Sequence, residues 1–280
     1  MRLSLSLLSA AVPAILFGQS VAQPNARGLL DERVPQWLKE YDVPSAAIAY
    51  IEDEKVAWIA VYGEQSPGVR ASPKTIYNVA SLTKPVAAET ILRLASKGAI
   101  ELDEPLHPFW VDPDVAENPW HKLLTPRLAL SHQTGFKNWR YETKDVLQFQ
   151  WQPGTQTGYS GEGYNYVARF TEKKLGRSFE DLAKEHVFDP IGMNETSFTK
   201  RSWHEGRLAH PHGPNITGEP VAPAKWNAAD LLHTTIGDYA KFVVSVMRNE
   251  RVSKPIAGQR LISATLHRLI RWRQSVRKPI

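Results

Sequence analysis

Tyr77-Asn78-Val79-Ala80-Ser81-Leu82-Thr83-Lys84-Pro85 is the stretch on which the reading of this chain turns. An extended approach ends near Ala80 and a long apolar-periodic run begins at Leu82, so the segment predicts a strand-like entry into a helix. Ser81 then falls in the first turn, three residues before Lys84, and that spacing puts both side chains on one helix face. A hydroxyl there meets unpaired backbone N–H groups and the positive end of the helix dipole. This suits a nucleophile whose proton is taken by a neighbouring amine, provided the amine is neutral when it acts. Read blandly, the same residues are a serine N-cap and a solvated lysine.

Working outward, residues 44–51 and 56–62 read as two strands around the turn Glu52-Asp53-Glu54-Lys55, a β-hairpin. Residues 29–41 precede it as an amphipathic helix. Residues 82–97 form the helix that carries Lys84; Pro85 is tolerated in its first turn and Gly98 closes it. Beyond it, residues 102–141 are rich in Pro, Trp and His, with a short helix predicted at 126–132. Further helices are predicted at 163–175, 178–188 and 228–248, with residues 195–218 a loop. A hairpin leading into a helix, followed by a helical block, implies an α/β fold: an antiparallel sheet flanked by helices plus an all-helical subdomain. Nothing after Ser160 reads as a strand. The hairpin is therefore expected to lack sheet partners in this sequence, or to be completed by another chain.

A chain of 280 residues can bury a sizeable core. It has no cysteine, which excludes disulfides, a thiol nucleophile and cysteine-ligated metals. Residues 1–22 read as a signal peptide: Arg2, an apolar run over 3–17 broken by Pro13, then Ser20-Val21-Ala22 before Gln23. A secreted or periplasmic location is expected. The formal net charge of +5 is unevenly placed. Residues 248–280 hold nine Lys/Arg and one acidic residue, leaving 25 basic and 28 acidic residues elsewhere, so no nucleic-acid face is implied. The expected organisation is a domain over 23–249 followed by a basic tail over 250–280.

Five segments, in order, resemble the class C β-lactamase and penicillin-binding-protein-like serine hydrolases, a family that includes esterases and D-aminopeptidases. The first is the Ser81-Leu82-Thr83-Lys84 element. The second is Leu128-Ala129-Leu130-Ser131-His132-Gln133-Thr134-Gly135, and the third is Pro153-Gly154 with Tyr159-Ser160-Gly161-Glu162-Gly163. The others are Asp189-Pro190-Ile191-Gly192-Met193 and Thr234-Thr235-Ile236-Gly237-Asp238-Tyr239-Ala240-Lys241-Phe242. The resemblance implies a β-lactamase/transpeptidase-like fold and an acyl-enzyme on Ser81, with Lys84 as base or proton shuttle and Tyr159 as second general base. It implies a small acyl substrate (an ester, peptide or β-lactam) and no cofactor. The Ser131-His132 pair is implied to support the site structurally.

Two departures stand out. Where the family commonly has Tyr-x-Asn, position 161 is glycine, so the substrate-binding position holds Gly161 and no amide. After Asp238 there is no Lys-x-Gly or His-x-Gly, the motif on the family's late strand. A chain shortened or frame-shifted near residues 264–272 is the expectation, with C-terminal sheet strands missing and a basic tail in their place. The alternative is an amphipathic helix bearing Ile262, Leu266, Leu269 and Ile270 that touches a membrane or covers the sheet edge. A non-catalytic binding protein of the same fold is the competing functional reading. An α/β-hydrolase elbow fails at Glu162 of Gly158-Tyr159-Ser160-Gly161-Glu162. A metal site at His204, His210 and His212 lacks paired carboxylates. Trp110, Trp120, Trp139 and Trp151 either wall a cleft for apolar acyl groups or pack the helical subdomain.

Overall fold

The computed structural model describes residues 26–212, 220 and 222–260. The signal peptide and the residues of the amphipathic tail helix lie outside the described residues. Helix α1 (Ala26–Glu40) lies over a hairpin of β1 (Ser45–Glu52) and β2 (Lys55–Ser66), with Val34 its buried contact. The hairpin closes on Asp53 and Glu54, both left-handed (φ 46° and 57°), the backbone a tight two-residue turn between twisted strands requires. The register sets Ala47 opposite Val61 and Ala49 opposite Ile59, and β3 (Val69–Arg70) adds to the far edge of β2.

A second small sheet seats the nucleophile segment. In it β4 (Tyr77–Asn78) pairs antiparallel with β6 (His233–Thr234), which also pairs with β5 (Thr196–Ser197). A 3-10 turn, Ala80–Leu82, joins β4 to α2 (Thr83–Ser96). The helical block is built from α2, α3 (Pro126–Leu130), α4 (Gly161–Leu175) and α5 (Phe179–Ala183). A π-helical turn (Lys184–Phe188) and short α6 (Asp189–Ile191) continue from α5. Val86, Ile91, Phe136, Tyr164, Phe170, Phe179 and Phe198 are buried at its centre. Helix α7 (Ile236–Met247) covers the hairpin, and α8 (Lys254–Gln259) packs on α2.

Several predicted elements shift. The expected helix over 228–248 begins only at Ile236, because Thr235 caps it by accepting the Asp238 N–H at 3.3 Å and His233–Thr234 are drawn into β6. The expectation that nothing strand-like follows Ser160 is corrected by β5 and β6. They build their own sheet with β4 rather than extending the hairpin. The helix predicted over 178–188 changes pitch at Lys184, and the loop over 195–218 contains β5 and a 3-10 turn. Residues 254–260 belong to the packed body: Arg260 is buried against Glu89, and that carboxylate also accepts from Arg93 Nε at 3.1 Å.

Candidate active site

Ala80, immediately before the serine, is left-handed (φ 45°), a conformation costing an alanine on the order of 1–2 kcal/mol. Two local bonds hold it: Ala80 N–H donates to Asn78 Oδ1 at 2.7 Å, and Leu82 N–H donates to Val79 O at 3.0 Å. The resulting kink turns Ser81 outward into solvent while Lys84, one turn on, is almost fully buried. Lys84 Nζ lies 3.2 Å from Ser81 Oγ and donates to Ala229 O at 2.9 Å. The segment before β6 is fastened to the same turn. Leu232 N–H donates to Thr83 Oγ1 and Val79 N–H to Leu232 O, both at 3.0 Å.

Around the ammonium stand three aromatic rings, with centroids 4.6 Å (Tyr159), 5.7 Å (Trp139) and 6.0 Å (Tyr164) from Nζ. Tyr159 is brought to Lys84 as expected from the sequence, but by its ring face. The structure gives its hydroxyl no hydrogen bond to Ser81 or Lys84. Asp230, which the sequence reading missed, also faces Lys84 electrostatically. Burial raises its carboxyl above the ordinary aspartate value against the opposing pull of Lys84, and its Oδ1 is buried without a hydrogen-bond partner.

His132 lies beneath Tyr159, with ring centroids 4.6 Å apart, and its Nδ1 accepts the Ser160 N–H at 3.0 Å. Burial first, and the Lys84 charge second, hold it down to about 4, so it is neutral at pH 7. Ser131 Oγ instead donates to Arg127 O at 2.8 Å. The two adjacent side chains form no dyad, and His132 serves to fix the Tyr159-Ser160 turn.

Gly161 is where the sequence departs from Tyr-x-Asn, and the structure supplies the reason. A Cβ built there would stand 2.7, 2.8 and 3.1 Å from the indole carbons of Trp139. Any side chain at 161 would collide with that ring. Of the four tryptophans singled out, Trp110 packs on Tyr166, Trp120 on Phe149 and Trp151 against Gly158; only Trp139 faces Lys84. No sequence signal marked this pairing beyond the glycine itself. Away from this site, His204 Nε2 lies 3.1 Å from the buried Ser197 Oγ. Among the described residues no group of three or more His, Asp or Glu side chains is placed to hold a metal ion.

The hairpin-and-helix sheet layer beside a helical block, with a serine at the seam, is a β-lactamase/transpeptidase-like fold. It superposes on an octameric penicillin-binding protein homologue from Pyrococcus abyssi with a TM-score of 0.68 at 23% identity, covering 84% of this chain and 59% of that one. The D-alanine carboxypeptidase AmpC of Burkholderia cenocepacia gives 0.68 at 21% identity, covering 82% and 67%. The chain belongs to the Beta-lactamase family, whose model matches residues 30–275. Among curated relatives, the D-alanyl-D-alanine-carboxypeptidase/endopeptidase AmpH of Escherichia coli is 24% identical over 69% of this chain and 55% of its own length. Penicillin-binding protein 4 of Amycolatopsis lactamdurans is 24% identical over 76% and 59%. The chain thus spans less than two thirds of either relative.

Proposed function

We propose that this protein is a serine acyl hydrolase working through a Ser81 acyl-enzyme on an ester, amide or β-lactam. The observation that carries the reading is the pairing of an exposed Ser81 hydroxyl with a buried Lys84 amine 3.2 Å away, held in place by the Ala229 carbonyl. In this reading neutral Lys84 takes the Ser81 proton as Oγ bonds to the substrate carbonyl carbon. It then passes the proton to the departing oxygen or nitrogen as the carbon–leaving-group bond breaks. Water next attacks the acyl-enzyme, giving up a proton to Lys84 or to Tyr159, and the carboxylic acid leaves with Ser81 restored. Family membership and relatives named for β-lactam and D-alanyl peptide chemistry support the same class.

Intact-mass analysis after treatment with a fluorophosphonate, beside Ser81→Ala, tests this. A single adduct absent from the variant is the expected result. Soluble, folded protein with no adduct would overturn it and leave a binding protein of the same fold as the better account.

A further inference from the structure

We propose that Trp139 determines specificity: its indole, lodged where a side chain at 161 would stand, gives the Ser81 site an apolar acyl wall that selects esters of apolar carboxylic acids. This rests on the Ser81 acyl-enzyme reading and names its substrate class.

The wall is built, not incidental. The loop carrying Trp139 is zipped to the start of α4 at every neighbouring residue. Ser160 Oγ donates to Lys137 O at 2.9 Å, and Gly161 N–H donates to Asn138 Oδ1 at 2.8 Å. Glu162 N–H reaches Asn138 O at 3.1 Å, and Arg140 N–H donates to Glu162 Oε1 at 3.1 Å. Arg140 also pairs with Asp112, Asp114 and Glu162, at 3.1, 3.3 and 3.1 Å. Trp139, between Asn138 and Arg140, is thus carried on an anchored backbone, and a side-chain carbon added at 161 would have to turn its indole aside. The indole is half-buried, and its ring centroid lies 5.7 Å from Lys84 Nζ.

The rim of Ser81 has the same character. Leu82 is 54% exposed and Tyr159 47% exposed, large apolar surfaces left in water at the mouth of a candidate site. Within this aromatic box, Gly161 offers an acyl chain no side-chain hydrogen bond and Trp139 offers it a flat apolar face. An alkyl or aryl acyl group gains by covering that face, whereas an acyl group bearing an amide would leave polar atoms against it unpaired.

The experiment compares kcat/KM for p-nitrophenyl octanoate and acetate in wild-type, Trp139→Ala and Gly161→Ala protein, with circular dichroism to check folding. Gly161→Ala adds the one carbon that must displace the indole. Wild type is expected to favour octanoate, and the octanoate-to-acetate ratio is expected to fall about tenfold in both variants while fluorophosphonate labelling of Ser81 persists. A ratio unchanged in Trp139→Ala overturns the proposal with the acyl-enzyme reading intact. If wild type takes no label, that reading fails, and the wall is read without chemistry by calorimetry of sodium octanoate and acetate on Ser81→Ala protein. Tighter octanoate binding that is lost on adding Trp139→Ala supports the wall; equal affinities overturn it.

Discussion

Lys84 donates from Nζ to the carbonyl oxygen of Ala229 at 2.9 Å, across 145 residues of sequence. That bond points the amine at Ser81 and ties the first turn of α2 to the segment leading into β6. A backbone carbonyl is a fixed acceptor, so the amine is aimed by the fold rather than by a side chain that could rotate away.

Lys84→Met removes the amine and strands the Ala229 carbonyl. Fluorophosphonate labelling of Ser81 should slow by about 10²–10⁴, the range of a lost general base, and stability should fall by about 1–3 kcal/mol for the unmet acceptor. Lys84→Arg keeps the charge but cannot act as a neutral base, and should label as slowly as Met. Arginine labelling at the wild-type rate would mean the charge, not proton transfer, activates Ser81.

Asp230 is near enough to feel the Lys84 charge, and its buried Oδ1 has no hydrogen-bond partner. Burial raises its carboxyl, so the ionised form destabilises the fold above that raised value and the penalty fades as pH falls through it. Asp230→Asn should therefore be more stable to urea at pH 7. Equal urea midpoints for the two proteins at pH 7 would show that the buried carboxylate carries no such penalty.

The hairpin and α2 were legible because two apolar runs around a polar turn and a helical repeat are local properties. The approach of Ser81 to Lys84 was legible because residues three apart at a helix start lie within reach of each other. What escaped has no such signature. Strands β4, β5 and β6 are two residues long, too short to show any alternation, and exist only through pairing with one another. A backbone acceptor such as Ala229 O looks like any other alanine in sequence. The absent amide at 161 was visible as an absence; that Trp139 occupies the space is a fact of two loops meeting in three dimensions.

Ala80 stores strain next to the nucleophile, with φ 45° on a residue that carries a Cβ. Ala80→Gly relieves about 1–2 kcal/mol of left-handed strain but restores unfolded-chain freedom costing about 0.4–1 kcal/mol. A net gain of between zero and about 1.6 kcal/mol in urea unfolding is expected, with a several-fold slower labelling rate because the kink is no longer enforced. Loss of stability on this substitution would mean the alanine methyl makes a contact worth more than the strain.

Acid should weaken the fold well before its carboxylates titrate. Burial holds His132 and His204 down to about 4, and shifts His186 and His233 in the same direction. Unfolded histidines take up protons near 6.5. Between about pH 6.5 and 4 the unfolded chain thus binds protons that the folded chain refuses, and stability must fall as pH drops through that window. His132 alone accounts for a loss of up to roughly 3 kcal/mol. Its eventual protonation at Nδ1 also breaks the bond from Ser160 N–H, releasing the turn that carries Tyr159. Asparagine suits the left-handed backbone at 132 (φ 60°) and can present Oδ1 to the same N–H without titrating. Urea midpoints for wild type and His132→Asn from pH 7 to 4.5 check this: the wild-type midpoint should decline steeply and the variant's less so. Parallel declines would assign the acid sensitivity to the other buried histidines instead.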